Sequence, residues 1–359
     1  MTGKTRVGIV YGGKSGEHPI SLQTALAVIR AFDFGKYAIT PFFIDQAGNW
    51  KRGAELAGPA GSVDELKLGN VMMTTAEALA ELFAADRTID VMFPLLHGTN
   101  GEDGTIQGLF EMANMPYVGC GVLASSAGMD KVIMKRLFAE AGLPQCAYRH
   151  FSRKQWAQDQ ASQIARMESE LGYPMFVKPA NLGSSVGISK AKDRTQLIEA
   201  VGFALKFDSK VIVEEFVDGR EIEVAVLGND YPEASVAGEI SASNEFYDYK
   251  AKYIDGKSSM HIPALISDDQ MKEIRKLAVE AFVAVDGSGL SRVDFFLRKS
   301  DGAWLLNEIN TLPGFTPFSM YPLMWKETGK PYRELLDDLI RLAFERFEEK
   351  QQNHIEFSV

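Results

Sequence analysis

Residues 291 to 320, SRVDFFLRKSDGAWLLNEINTLPGFTPFSM, carry the pattern that most narrows what this chain can fold into. With a period of two, Arg292, Asp294 and Phe296 share one strand face, and Val293, Phe295 and Leu297 the other. The turn-rich KSDGA follows, and AWLLNEIN runs back with Trp304, Leu306, Glu308 and Asn310 expected on one face. A loop from Lys299 to Ala303 would set Asp294 directly opposite Glu308, whereas a tight turn at Asp301-Gly302 would pair Asp294 with Ile309 and dissolve the cluster. In the first register the two carboxylates lie roughly 4.5–5.5 Å apart at Cβ and repel unless a cation sits between them. With Asn310 as a further oxygen ligand the set suits magnesium, which takes carboxylates together with substrate phosphates. The plainer alternative is a solvated hairpin face with scattered charge. Apolar residues on both faces of both strands argue against it, since lone carboxylates are costly in a buried sheet.

A length of 359 residues leaves room for more than one domain with a proper core. The net charge of -10 speaks against a general nucleic-acid surface, which works by neutralising phosphates. Cys120 and Cys146 form no metal-binding spacing and are expected reduced and packed. MTGKTRVGIV is no signal peptide and no apolar run reaches membrane-spanning length, so a soluble cytoplasmic protein without membrane partners is expected.

RVGIVYGG is a strand into a glycine turn, ISLQTALAVIRAF a helix with Pro19 near its first turn, and YAITPFFID a second strand. Residues 46 to 88 give short elements and a helix at TTAEALAELFA. DVMFPLLHG is a third, apolar strand, GTIQGLFEMANM a helix and PYVGC a short strand. Alternating strands and helices make residues 1–125 an open parallel α/β domain. Gly8, Gly13, Lys14 and Ser15 formally match a P-loop, but Gly8 lies inside a strand with too little chain before it, and no dinucleotide fingerprint occurs.

SSAGMDKVIMKRLFAEAGLP is expected as a helix closed by Gly142 and Pro144. After a strand near Gln145 to Phe151 and a polar helix comes YPMFVKPANLGSSVGISK: strand, small-residue loop, strand. Small residues let backbone N–H groups wrap an anion, with Lys178 supplying charge at the loop's base. Taken alone, this loop reads equally as a flexible hairpin tip. In EEFVDGREIEVAVLG, Glu214 and Glu221 flank an apolar strand end and could hold a nucleoside, while Glu215 reads as solvated surface. EFYDYKAKYIDGKSSMHIPA, rich in aromatics and lysines and without helical or strand period, reads as a lid. A capping box, Ser267 to Gln270, opens a core helix with Ile274, Leu277, Ala278, Ala281, Phe282 and Val285 on one face. PYRELLDDLIRLAFERFEEK closes the chain as a helix.

YGGKSGE, HGTNGEDGTIQG, MDK, VKP-x-x-x-GSSVG, EEF-x-x-GRE, YDYKAKY, RVDFF and NEINTLPGFT occur in this order. The combination resembles the D-alanine–D-alanine ligases of the ATP-grasp family, over nearly the whole chain. YDYKAKY with NEINTLPGFT is highly specific; the glycine loop alone is not. The resemblance implies an N-terminal α/β domain (1–125), a central lobe (126–216) and a C-terminal lobe (217–359), the two lobes clamping ATP, and a homodimer. It implies two magnesium ions, with manganese as a substitute, held by Asp294, Glu308 and Asn310. Lys131, Lys178 and Ser185 would meet ATP phosphates, Glu214 the adenine amino group, Glu221 the ribose, and the backbone of Glu215 and Val217 the adenine ring. Glu17 would position the first D-alanine, hydrogen-bonded to Ser184 and Tyr253, and His97 would face that substrate's carboxylate. Arg292 and the Gly314 N–H would stabilise an oxyanion, Lys252 would offset phosphate charge, and Ser319 and Met320 would hold the second substrate's carboxylate. For His97 a backbone-bonding role in its turn, and for Ser319 a mere loop role, stay open. The expected reaction joins two D-alanines through an acyl phosphate, for peptidoglycan precursor synthesis. Competing readings are a D-alanyl-D-lactate ligase, another ATP-grasp carboxylate–amine ligase, and a nucleotide-binding regulator without chemistry. Tyr253 in place of phenylalanine favours the dipeptide.

Overall fold

A computed structural model describes residues 3–69, 74–241, 259–316 and 318–353 of the chain. β1 (Thr5–Gly12) is a buried apolar strand that ends where Gly12 and Gly13 take φ of +95°. A Cβ on Gly12 would lie 2.1 Å from the Ile44 carbonyl oxygen, so only glycine lets the chain turn here. The turn leads through Glu17, the N-cap, into α1 (His18–Ala31), with Pro19 in its first turn. β2 (Tyr37–Ile44) and β4 (Val91–Pro94) flank β1 in parallel. β3 (Trp50–Arg52), which sequence reading left among short elements, adds an antiparallel outer edge to β2. Gly8 lies in mid-strand opposite Thr40 and Met92, where no phosphate loop can form. α2 (Val63–Leu66), α3 (Thr75–Phe83) and α4 (Thr105–Met112) complete this layer.

Two expectations change in the next stretch. PYVGC is not a strand: Tyr117 makes an isolated bridge to Met92, and Gly119, at φ +105°, turns the chain away. The helix expected from Ser125 is two helices, α5 (Val122–Met129) and α6 (Lys131–Glu140), because Asp130 between them is extended. Its carboxylate accepts from Val132 N (3.0 Å) and Ile133 N (3.2 Å), so a residue that could have continued a helix caps a new one.

The second sheet has the order β5 (Tyr148–Ser152), β8 (Lys210–Glu215), β6 (Met175–Pro179), β7 (Ser189–Ala191), all antiparallel. α7 (Arg153–Gln158) and α8 (Gln160–Glu170), again two helices where one was expected, cover it with α9 (Arg194–Ala204). The third sheet runs β11 (Ser259–His261), β10 (Glu233–Ser241), β9 (Gly219–Gly228), β12 (Gly289–Arg298), β13 (Trp304–Asn310), also antiparallel throughout. α10 (Asp268–Ala284) has the expected capping box and packs Ile274, Ala278, Ala281 and Phe282 beneath this sheet. α11 (Met320–Glu327) and α12 (Tyr332–Gln351) close the chain. Their apolar faces join β1, β2 and α1 in one core with Ala225, Leu227 and Leu290 of the third sheet, so the first and third sheets are locked together. The strand–helix alternation of residues 5–112, followed by two antiparallel sheets with their own helices, is the expected fold class.

Candidate active site

A cleft of about 750 Å³ opens between the sheets, and the β12–β13 hairpin supplies one wall. The hairpin pairs Leu297 with Trp304 and Phe295 with Leu306, one residue out of step with the register that puts Asp294 opposite Glu308. A bulge reconciles them: Asn307 is skipped, and Asp294 does face Glu308 and Arg292 faces Asn310. Trp304 and Leu306 therefore point into the core with Val293, Phe295 and Ile309, while Glu308 and Asn310 point into the cleft. The expectation that all four of Trp304, Leu306, Glu308 and Asn310 share a face was wrong, since an extra residue switches the alternation between its two halves.

Around this pair the charges are ordered. Arg292 Nε donates to Asp294 Oδ1 (2.7 Å) and Nη2 to Asp294 Oδ2 (2.6 Å), while Nε also lies 2.9 Å from Glu223 Oε2. Burial works to lower the Arg292 pKa, but Asp294 and Glu223 outweigh it and raise it well above the ordinary value. Asn310 Nδ2 donates to Asp294 Oδ2 (3.0 Å), and Lys131 Nζ lies 3.9 Å from Glu308 Oε2 while donating to the Leu182 carbonyl (2.8 Å).

Lys178, at the end of β6, and Glu214, on β8, face the same cleft. Glu214 is buried between two lysines, 3.1 Å from Lys135 and 2.5 Å from Lys178. Burial alone would push its carboxyl up, but the two ammonium groups hold it down to about 2. A depressed carboxylate lends stability above its unfolded pKa and loses it as pH falls toward the folded one. Glu214→Gln is thus expected to lower Tm at neutral pH and to lose that deficit progressively as pH falls from about 4.5 to about 2, read by thermal melts across pH. A deficit constant with pH would mean that the glutamate's charge is not what stabilises the cluster.

At the opposite end, past the C-terminal ends of β1 and β4, Glu17 and His97 line the cleft, the location where open α/β sheets hold ligands. Ser184 Oγ donates to Glu17 Oε1, joining the loop after β6 to the start of α1. Ser184 and Ser185 both take left-handed backbone, φ +51° and +59°, which costs a non-glycine residue of the order of 1 kcal/mol each. The bond to Glu17 ties this loop to the start of α1, and Ser185 lies on the cleft wall. His97 is buried, with Nε2 3.0 Å from Thr24 Oγ1 and Nδ1 3.4 Å from Glu102 Oε1, so it bonds side chains rather than the backbone of its own turn.

Val217, Glu221, Gly314, Ser319 and Met320 complete the lining. Ser319 Oγ accepts from Thr316 N (2.9 Å) and lies 2.8 Å from Thr316 Oγ1, a folded loop beside Gly314. Glu215 is half-buried rather than solvated, its Oε1 accepting from Ala147 N (2.7 Å), because β8 brings it against the start of β5. Lys252, Tyr253 and most of the lid expected at 245 to 260 lie outside the described residues; its end, Ser259–His261, forms β11. Every other expected site residue lies on the one cleft. Sequence reading missed Lys135, Glu223 and Glu102. All three lie within motifs it singled out or one turn beyond, but a single acid or lysine among many shows its role only through its partners.

Family models match both parts of the chain: "D-ala D-ala ligase N-terminus" over residues 6–120 and "D-ala D-ala ligase C-terminus" over residues 137–341. The chain is 56% identical over 356 residues to the D-alanine–D-alanine ligase of Bacillus licheniformis, covering 97% of this chain and 98% of that one. Among solved structures it is similar to the D-alanine-D-alanine ligase from Coxiella burnetii (33% identity, TM-score 0.80, 97% of this chain and 96% of that). It is also similar to VanG D-Ala:D-Ser ligase from Enterococcus faecalis (35% identity, TM-score 0.82, 95% and 100%).

Proposed function

Because this chain belongs to the D-alanine–D-alanine ligase family, with the ATP-grasp fold, and joins two D-alanines at the expense of ATP, we propose that its cleft divides that work by sheet. ATP occupies the part between the second and third sheets, and the D-alanines the part toward the first. The product, D-alanyl-D-alanine, serves cell-wall synthesis.

Glu214 faces the adenine amino group, Glu221 the ribose, and the backbone of Glu215 and Val217 the ring edge. Lys131, Lys178, Ser185 and Lys252 offset the phosphate charge. Glu17, steadied by Ser184 and Tyr253, binds the ammonium group of the first D-alanine, and His97 borders its carboxylate. That carboxylate attacks the γ-phosphorus of ATP, forming an acyl phosphate and releasing ADP. The amine of the second D-alanine, its carboxylate held at Ser319 and Met320, then attacks the acyl carbon. Arg292 and the Gly314 N–H meet the oxyanion of the tetrahedral intermediate, which collapses to the peptide with phosphate leaving and the amine's proton lost. Acyl phosphates hydrolyse readily, so water must be kept out while the intermediate lasts.

The donor set suits the expected ions. Among the described residues no three His, Cys, Asp or Glu side chains form a closed cage, but two facing carboxylates and an amide oxygen beside a phosphate site are what magnesium takes. Asp294, Glu308 and Asn310 would hold two magnesium ions, or manganese, and Arg292's grip on Asp294 would loosen as they bind. Such ions supply charge neutralisation at the transferring phosphoryl group. The pairing of Asp294 with Glu308 opposite two buried lysines carries this reading. We assign residues 1–125, 126–216 and 217–359 to the substrate-side domain and the two lobes, and infer a cytoplasmic homodimer. No described helix is long and apolar enough to cross a membrane.

Incubation with magnesium, ATP and D-alanine alone is expected to give D-alanyl-D-alanine by mass and one phosphate per dipeptide; ATP turnover without that dipeptide overturns the reading. Tyr253→Phe is expected to raise incorporation of D-lactate relative to D-alanine about tenfold, measured in mixed-substrate assays. An unchanged product ratio would remove Tyr253 from substrate choice.

A further inference from the structure

Lys135 is fully buried on α6 and, unlike Glu214, Lys178 and Cys146, does not border the cleft. Its ammonium lies 3.1 Å from Glu214 Oε1, 3.5 Å from Cys146 Sγ and 5.5 Å from the centre of the Tyr148 ring. Lys178 takes the other carboxylate oxygen, Oε2, at 2.5 Å from the cleft side. The two oxygens of one carboxylate are thus shared between a lysine behind the wall and a lysine in it.

This arrangement bears on a conflict in the nucleotide site. Lys178 is assigned to ATP phosphates, yet it is paired with the acid assigned to the base. A lysine that leaves a buried carboxylate strands a negative charge, which is strongly unfavourable unless a second counterion stays. Lys135 is placed to be that counterion. Burial works to lower its pKa, and Glu214, with Cys146, raises it instead, so the ammonium stays charged. The groups facing Glu214 are Lys135 from α6, Lys178 from β6, Tyr148 from β5 and Cys146 just before it, with Glu308 acting on Lys178 from β13.

We propose that Lys135 is a positioning residue for recognition of the nucleotide base: it holds Glu214 from behind by Oε1, so that Lys178 can turn to the phosphates while Oε2 is given to the base amino group. This rests on the assignment of Glu214 to that amino group, and the test separates the two. ATP and inosine triphosphate, which carries an oxo group in place of the amine, are titrated calorimetrically with magnesium and without D-alanine into wild type, Glu214→Gln, Lys135→Met and the double variant. Glu214→Gln is expected to lose the preference for ATP; if it keeps it, the assignment of Glu214 fails. Lys135→Met is expected to weaken ATP about tenfold or more and inosine triphosphate far less, with kcat at saturating ATP within about threefold of wild type. In the Glu214→Gln background Lys135→Met is expected to change neither affinity. Equal weakening of both nucleotides by Lys135→Met, or a double variant that binds more weakly than Glu214→Gln, overturns the proposal. Should Lys135→Met fail to fold, the double variant, which carries no stranded carboxylate, still decides it against Glu214→Gln.

Discussion

Arg292→Met is expected to lose catalysis and stability together, and Arg292→Lys to separate them. Arg292 lies in mid-strand on β12 between Ala225 of β9 and Asn310 of β13, its guanidinium shared by Asp294 and Glu223. Both acids are buried, and removing their cation leaves two like charges facing each other; breaking a buried pair in this way costs about 3–5 kcal/mol. With Arg292 as the proposed oxyanion donor, its loss lowers kcat by about 10²–10³. Lysine keeps the charge without the planar fork that meets Asp294 with two bonds. Arg292→Lys is therefore expected to recover most of the lost Tm yet stay about 10²-fold slow, because a point charge on a flexible stem is not aimed at the oxyanion. Tm by calorimetry and kcat at saturating substrates check both halves. A turnover of Arg292→Met close to wild type would take the guanidinium out of the chemistry, whatever happened to Tm.

Arg292 also shows how far the sequence could be read. Its face, with Asp294 and Phe296, follows from the period of two on β12, which is regular along its whole length. The partner strand is not. Nothing in AWLLNEIN announces that Asn307 is skipped, because a bulge is chosen by how two strands fit across a sheet rather than by the residues of one. The pairing of Asp294 with Glu308 was foreseen from an assumed loop length; the observed hairpin reaches the same pair by a different loop and a compensating bulge. A correct pairing thus came with a wrong account of Trp304 and Leu306.

The same limit explains Asp130 and Glu214. From sequence, Asp130 stands inside a continuous helical pattern, and only its carboxylate's bonds to Val132 and Ile133 reveal a cap. Glu214 was legible as a candidate because it ends an apolar strand beside a glycine turn. Lys135 was not, since a lysine within KVIMKRLF reads as a solvated helix face until β8 is seen to bring Glu214 against it. The motifs located the cleft; long-range pairing decided which charges inside it meet.

Glu308→Gln is expected to cut turnover by about 10²–10³ while leaving Tm equal to or above that of the wild type. Glu308 faces Asp294 across the bulged pair, and Lys131 Nζ lies 3.9 Å from its Oε2. Substitution by glutamine keeps size and one oxygen but removes one of two like charges at cross-strand spacing, which relieves repulsion whenever no ion is bound. The same change weakens any divalent ion held there, so the magnesium concentration giving half-maximal rate is expected to rise about tenfold or more. Stability and activity should thus move in opposite directions, a signature that a merely structural glutamate would not give, since its loss would lower Tm. Removal of divalent ions by chelation supplies the control: the Tm difference between wild type and Glu308→Gln should widen without them and shrink as magnesium with a nucleotide is returned. If the variant turns over at near-normal rate with an unshifted magnesium requirement, Glu308 holds no ion and the hairpin is a wall of the cleft rather than its catalytic floor.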